Sequence, residues 1–186
     1  MKKLTLKHCL ACVAALLGVL IFVFSFVTAL KSFDSAGELS AKYYNVIWGS
    51  KKATVYGIPV LGDVTDTIPE ESRFGALALP LIASILALVA GLGAVALAFL
   101  APEKKVLFFV VAGVFLAVAV VVALTPAFAF NAIAKKQAEL MHCSVKDAKD
   151  AMKEAGGSLK APLSVVSAVL AFLGCGCAVG AAVVKK

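Results

Sequence analysis

The sequence predicts an all-α membrane protein: a four-transmembrane-helix bundle with a small, partly β extracellular cap. Of its 186 residues, 62% are hydrophobic, which is well above the usual share in soluble domains. Four spans contain no Asp, Glu, Lys or Arg. Each span can cross a hydrocarbon core of about 30 Å, for which a helix needs roughly 20 residues. The segments after the first and third spans are too long to be simple connections.

We therefore predict one membrane domain over residues 1–186. Its elements are a first span at 9–30, an extracellular loop at 31–73, a second span at 74–101, a cytoplasmic turn at 102–105, a third span at 106–130, an extracellular segment at 131–160 and a fourth span at 161–184. The first span begins like a signal peptide. Its apolar stretch is longer than the roughly 7–15 residues typical of one, which favours an uncleaved anchor.

The distribution of charge predicts the orientation. The short segments 1–8, 102–105 and 185–186 hold seven basic residues and one acid, whereas the two longer segments together hold eleven basic and ten acidic residues. Basic residues in short segments mark the cytoplasmic side. We expect a multi-pass protein of the plasma membrane with both termini in the cytoplasm. The net charge of +7 is then a topology signal that contacts the lipid bilayer, and we expect no nucleic acid partner.

Small residues at helical spacing indicate where the spans pack, because helices in lipid associate through close packing. The first span offers the pair Ala14 and Gly18. The predicted packing positions in the other spans are Ala87, Gly91, Gly113, Gly176 and Gly180. The last two form a GxxxG motif, which fits either packing within the monomer or association of two copies. Pro80 and Pro126 are expected to kink their helices because each removes a backbone hydrogen bond.

The first extracellular loop holds all the Tyr and Trp residues of the chain. Residues 43–48 and 53–56 are rich in strand formers, and the turn-like stretch between them predicts a β-hairpin. The aromatic residues Tyr43, Tyr44, Trp48 and Tyr56 fit the core of a small domain, a membrane-interface belt or a partner-binding surface. We take them as the candidate partner-binding residues.

The second extracellular segment is predicted to begin as an extension of the third helix, to about Met141. Ser144 and Asp147 have the spacing of a capping box. They predict a short helix at 145–155, ended by two glycines.

Motifs for chemistry are sparse. Cys9 and Cys12 form a CxxC on one helix face, the motif of membrane thiol oxidoreductases, but the pair is predicted at the cytoplasmic end. His8 and His142 are expected on opposite sides of the membrane and cannot share a zinc site. We find no nucleophile–base set and no phosphate-binding loop. The sequence therefore predicts no catalytic residues, no cofactor, no metal site and no enzyme activity.

The layout resembles that of claudin-like tetraspan proteins. They too have four helices, cytoplasmic termini, a long first loop with strands and a Trp, and a shorter second loop that extends the third helix. At residue level the resemblance rests on Trp48. The family's GLW motif and its two loop cysteines are absent, since Gly49, Ser50 and Lys51 follow Trp48. The resemblance implies lateral association or partner binding through the outer loops.

We expect a non-enzymatic accessory, scaffold or adhesion-type subunit that binds another membrane or extracellular protein through its extracellular loops. Association with a second copy is a further possibility for these loops and for the GxxxG motif. The alternative is a small permease or pore subunit for an uncharged solute. A membrane thiol oxidoreductase is the third interpretation and rests on the CxxC alone.

Topology is testable by thiol labelling. Single cysteines at Lys2, Lys104 and Lys186, in a cysteine-free background, should resist an impermeant thiol reagent applied from outside. Cysteines at Lys51 and Lys153 should react, because they fall in the predicted extracellular segments. Labelling of position 104 in intact cells would contradict the orientation.

Overall fold

The computed structural model describes residues 5–27, 29–34, 37–42, 52–55, 58–61, 78–154 and 158–184. Its helices are α1 (Leu6–Val27), α2 (Leu79–Leu100), α3 (Lys105–Ala123), α4 (Thr125–Met141), α5 (Val145–Glu154) and α6 (Pro162–Val183). Within these residues, α1, α2, α3 and α6 are long and apolar enough to cross a membrane. They confirm the prediction of four membrane-length helices, and the chain is a multi-pass membrane protein.

The described residues also form five strands: β1 (Ala29–Asp34), β2 (Gly37–Lys42), β3 (Lys52–Val55), β4 (Ile58–Leu61) and β5 (Ser158–Lys160). They pair antiparallel in one sheet of order β4-β3-β2-β1-β5. β5 comes from the segment after α5 and pairs with β1, in the register Lys31↔Lys160 to Phe33↔Ser158. One sheet therefore joins the two long segments of the chain.

The chain divides into two compact units. The membrane-helix unit comprises Met1–Ser25, Pro80–Ala123 and Ser164–Lys186. The sheet unit comprises Phe26–Leu79 and Leu124–Leu163. Within the sheet unit, α4 contacts both α5 and β5.

Two predicted span ends need correction. The first span was predicted to end at 30, but α1 ends at Val27, and Ala29 and Leu30 pair with Lys42 and Ala41 in the sheet. Apolar composition alone does not distinguish the end of a helix from an apolar strand that follows it. The third span was predicted to reach 130, but its helix ends at Ala123.

Proline positions explain the second correction. Pro126 occupies one of the first two positions of α4, and Leu124 separates α3 from α4. A proline fits there because the first helical N–H groups have no partner within the helix. The predicted kink at Pro126 is therefore a break between two helices. Pro80 lies in the first turn of α2, so it removes no hydrogen bond and causes no kink there.

The second segment is helical up to the predicted residue, but as the separate helix α4 and not as an extension of α3. α4 ends at Met141, and His142 adopts the left-handed conformation (φ 51°) that closes the helix. The N–H of Cys143 then donates to the carbonyl of Ala138 at 3.1 Å. One half of the predicted capping box is present: the N–H of Asp147 donates to Ser144 Oγ at 3.2 Å, and α5 begins at Val145. In place of the reciprocal backbone bond, Ser144 Oγ donates to Asp147 Oδ2 at 2.7 Å.

The predicted hairpin needs a different pairing. Its first half, 43–48, lies outside the described residues. Its second half overlaps β3, which pairs with β2 on one side and β4 on the other. Both edges of β3 are thus occupied. Val55 pairs with Ile58, so only two residues connect β3 to β4, a connection typical of tight hairpins.

The core of the membrane-helix unit is built mainly from alanine. Its fully buried side chains include Ala11, Ala14, Ala87, Ala94, Ala171, Ala178 and Ala181, together with Ile21, Phe108 and Phe115. Larger apolar side chains such as Leu16, Leu86 and Phe172 are exposed, as expected for surfaces that contact lipid. Small residues inside let the helix backbones approach one another.

Candidate functional site

The four candidate partner-binding residues, Tyr43, Tyr44, Trp48 and Tyr56, lie outside the described residues. Their proposed role stays a prediction from sequence. The described residues instead give the geometry of the helix contacts, of one buried lysine and of a set of buried hydroxyls.

The predicted packing positions fall into two groups. Ala87 and Gly91 are buried between α1 and α2, and the Leu10 side chain lies 3.1 Å from where a Cβ would stand on Gly180. Gly113 and Gly176 are exposed, and a Cβ on either would meet nothing within 4 Å. A side chain at either position would therefore point away from the other described helices, on the outward faces of α3 and α6.

Of the glycine positions in the described helices, the closest approach is a reciprocal one between α1 and α2. A Cβ on Gly18 would stand 2.6 Å from the carbonyl oxygen of Ala87. A Cβ on Gly91 would stand 2.9 Å from the carbonyl oxygen of Ala14. The two Ala-xxx-Gly pairs thus face each other on antiparallel helices. Neither glycine tolerates a side chain unless a backbone moves.

A second close contact joins α6 to α3. A Cβ on Gly174 would lie 2.8 Å from two carbons of the Phe115 ring, and Phe115 is fully buried. The absence of a side chain at Gly174 therefore leaves room for the buried Phe115 ring.

One basic side chain is buried in the membrane-helix unit. Lys7 is 6% exposed. Its ammonium donates a hydrogen bond to the carbonyl oxygen of Pro102 and lies 4.7 Å from the centre of the Phe108 ring. A charged group in a membrane helix is a functional candidate by default. Here a carbonyl and an aromatic face compensate the charge, and the contact ties the start of α1 to the turn between α2 and α3.

His8 makes further contacts at the same end of the membrane-helix unit. The backbone N–H of Thr5 donates to His8 Nδ1 at 3.2 Å, and Thr5 Oγ1 lies 2.6 Å from the same nitrogen. The imidazole thereby takes the place of the acceptor in a capping box. Its ring also stacks at a tilt on Phe99, with the ring centres 4.6 Å apart. Thr5, Lys7, His8, Phe99, Pro102 and Phe108 form what we call the Lys7 cluster.

Buried hydroxyls form a second polar feature. Ser84, Ser164 and Ser167 are each at most 2% exposed. Ser84 Oγ donates to Ser25 Oγ at 3.0 Å, across α1 and α2. Ser167 Oγ has no hydrogen-bond partner among the described residues.

The five cysteines form no disulfide in the structure. All five are free; Cys9 and Cys12 are exposed on α1, and the other three are half-buried. Within the described part of the chain, no group of three or more His, Cys, Asp or Glu side chains could hold a metal ion. In the described part of the membrane-helix unit, the interactions are helix packing, one compensated charge and hydrogen bonds between hydroxyls.

Sequence reasoning missed Gly174 and the role of Lys7. Gly174 lies at no four-residue spacing from a partner glycine, and only the volume of Phe115 explains it. From the sequence, Lys7 was interpreted only as one of several lysines that determine topology. A signal was present, since Lys7 lies two residues before the first predicted span and Phe108 is the third residue of the third predicted span.

The Lys7 contact is testable by removing its charge. Lys7→Met keeps the apolar stem and removes the hydrogen bond and the cation–π contact. We expect the free energy of unfolding in detergent to fall by about 1–3 kcal/mol, the usual cost of losing a buried charged hydrogen bond. Lys104→Met is the matched control, because Lys104 is exposed. Equal thermal midpoints for the two variants would show that the contact contributes no stability.

Comparison of the chain with family models, with curated proteins and with solved structures gives no match. No residue role is therefore carried over from a relative. The functional proposals that follow rest on the residues and contacts described above.

Proposed function

We propose that this protein is a non-enzymatic membrane subunit that acts as an accessory, scaffold or adhesion-type partner for another membrane or extracellular protein. The observation that carries the proposal is the contrast between the two units. The membrane-length helices contain no Asp, Glu or Arg, and their lysines are confined to helix starts, at Lys7 and Lys105. Coupled transport and general acid–base catalysis usually need an ionisable group at membrane depth.

The sheet unit supports the binding role. It combines both long segments of the chain, and β5 pairs with β1 at one edge of the sheet. A connection between two helices needs no such unit, because a few residues suffice. A folded unit of this size can present a stable surface to another protein. Lateral association through this surface is also what the claudin-like resemblance implies.

The orientation in this proposal puts the sheet unit outside a plasma membrane and both termini in the cytoplasm. Its support is the excess of basic residues in segments 1–8, 102–105 and 185–186. In this orientation Lys104 and its neighbours meet anionic lipid headgroups. The aromatic residues of the first loop would then face the partner, or a second copy of the chain.

The second candidate is a small permease or pore subunit for an uncharged solute. Buried Ser84, Ser164 and Ser167 favour it, because hydroxyls are the polar groups that the described membrane core offers. A neutral solute needs hydrogen-bonding groups and no counter-charge. The thiol oxidoreductase interpretation has less support, since Cys9 and Cys12 are exposed on the outer face of α1.

Trp48→Ala tests the binding role. The tagged intact protein is captured from mild detergent, and the associated proteins are identified by mass spectrometry. If Trp48 anchors the partner, the variant should lose one specific protein while its thermal midpoint stays near that of the wild type. Phe172→Ala is the control, because Phe172 is an exposed aromatic of α6.

Two other outcomes of this experiment would give Trp48 a different role. A buried Trp typically contributes about 3–5 kcal/mol when truncated, so a large fall in the midpoint would place Trp48 in the core of its unit. Identical protein sets and midpoints for wild type, Trp48→Ala and Phe172→Ala would contradict a functional role for the aromatic cluster.

A further inference from the structure

The five strands form a sheet whose two faces differ in chemistry. Successive residues of a strand lie on opposite faces, and residues that pair directly across neighbouring strands lie on the same face. The pairing traces two adjacent rows that each cross all five strands. One row is mainly apolar and comprises Leu159, Ser32, Leu39, Val55 and Ile58. The row on the opposite face comprises Lys160, Lys31, Ser40, Thr54 and Pro59.

Both rows can be extended, because residues two positions apart in a strand share a face. The apolar face then also includes Leu30, Ala41, Ala53 and Val60. The described strands place no lysine on this face, and one acid, Asp34. The opposite face gains two further lysines, from β2 and β3. We call it the basic face, after its lysines Lys31, Lys42, Lys52 and Lys160.

The lysines of the basic face are neighbours on adjacent strands, which lie about 4.8 Å apart. Lys31 pairs directly with Lys160. Lys42 and Lys52 are neighbours on β2 and β3, each two residues beyond a directly paired position. Like charges opposite one another destabilise a sheet. Within the described strands this face carries one acid, Glu38, so the sheet itself does not neutralise the positive charge.

The apolar face has a counterpart within the sheet unit. α4 contacts β5, and the described buried residues of α4 are small: Thr125, Ala129, Ala132, Ala134 and Ala138. Helices pack on sheets through apolar surface, and lysine is almost never fully buried unless it is paired. The apolar face is thus suited to packing within the unit, and the basic face is suited to water or to an anionic partner.

We propose that the basic face is the surface of the sheet unit that binds the partner, and that the partner presents an acidic protein surface to it. This inference rests on the proposed binding role and names the chemistry of the partner. Complementary charge speeds encounter and selects among partners, and it compensates lysines that repel one another in the free protein. A second copy of the chain cannot use this face for a symmetric contact, because two basic faces would meet.

Anionic lipid is the other source of negative charge near a membrane protein. In the proposed orientation the sheet unit lies outside the cell, whereas anionic headgroups are concentrated in the cytoplasmic leaflet. An acidic protein surface is therefore the occupant that the charge and the orientation together favour. Vesicles of phosphatidylserine are the competing probe.

Two variants of equal charge test the basic face on the intact protein, held in phosphatidylcholine nanodiscs. The basic-face variant combines Lys31→Gln, Lys42→Gln, Lys52→Gln and Lys160→Gln. The control variant combines Lys135→Gln, Lys146→Gln, Lys149→Gln and Lys153→Gln, which lie on α4 and α5 of the same unit. Each variant removes four positive charges from a net charge of +7. The probe is fluorescent poly-L-glutamate, and its binding is followed by anisotropy.

The basic-face variant should bind polyglutamate at least roughly tenfold more weakly than the wild type, because four modest surface charge contacts are lost together. The control variant should stay within about threefold of the wild type. Wild-type binding should weaken as salt is added, since salt screens surface charges. Equal losses in the two variants would show a response to net charge alone and would overturn the proposal.

Lys31→Glu supplies a readout that does not depend on folding of the fourfold variant. It puts an acid opposite Lys160, and opposite charges across strands stabilise a sheet. The thermal midpoint should therefore hold or rise while binding of polyglutamate weakens. Unchanged binding, with a midpoint that holds or rises, would contradict the proposal.

The vesicle probe and partner capture separate the remaining outcomes. Binding to phosphatidylserine vesicles that the basic-face variant loses, without binding to polyglutamate, would overturn the proposal in favour of a lipid surface. A partner captured from mild detergent should be lost by the basic-face variant and kept by the control variant. A partner kept by both would overturn this inference and leave the proposed binding role standing. Capture of no protein by the wild type would instead contradict the proposed function, and the polyglutamate result would still decide whether the basic face binds acidic chains.

Discussion

Apolar side chains gain nothing by moving from lipid into a bundle, so membrane helices must be held by contacts that lipid cannot replace. In this protein the closest approach at a glycine is between the backbones of α1 and α2. Gly18 and Gly91 each leave room for a carbonyl of the opposite helix, those of Ala87 and Ala14. This approach explains why the core is rich in alanine while leucine, valine and phenylalanine occupy the outer faces.

Polar groups are placed around this packed centre, at its two ends. At one end Lys7 ties α1 to the turn after α2 through the Pro102 carbonyl, and the Phe108 ring covers its ammonium. Towards the other end Ser25 and Ser84 join the same two helices by a hydrogen bond. The middle holds the glycine contacts and carries no polar bond among the described residues of these two helices. The α1–α2 pair is thus fixed at three levels by three kinds of interaction.

The proposed function divides the roles between the two units. The membrane helices, with one compensated charge and mainly small core residues, would anchor the protein in the bilayer. The proposed role assigns recognition of the partner to the sheet unit. The sheet draws strands from both long segments, and its β1–β5 pairing brings distant parts of the sequence into one surface. The buried hydroxyls are the feature that connects the bundle to the alternative role in passage of a small neutral solute.

Much of the architecture could be predicted from sequence, because span length and apolarity are physical requirements of a bilayer. The N-cap at Ser144 could also be predicted, because its hydrogen bond to Asp147 depends only on local spacing along the chain. Strand pairing was not readable: β3 has suitable residues, but its partners depend on chain segments far apart. Nor did the spacing of small residues show that Gly91 packs while Gly113 and Gly176 face outward. Each helix offers several such pairs, and only the neighbouring helices decide which one is used.

The most direct test of this account compares two alanine substitutions on α2. Gly91→Ala places a Cβ 2.9 Å from the backbone of α1, whereas Gly93→Ala places one in open space. Alanine favours helix over glycine at both positions, so any difference reports the helix contact. In detergent, Gly91→Ala should lower the free energy of unfolding by about 1–3 kcal/mol, as overpacking usually does, and Gly93→Ala should leave it unchanged or slightly raised. Equal midpoints for the two variants would contradict the claim that backbone approach at Gly18 and Gly91 holds the bundle together.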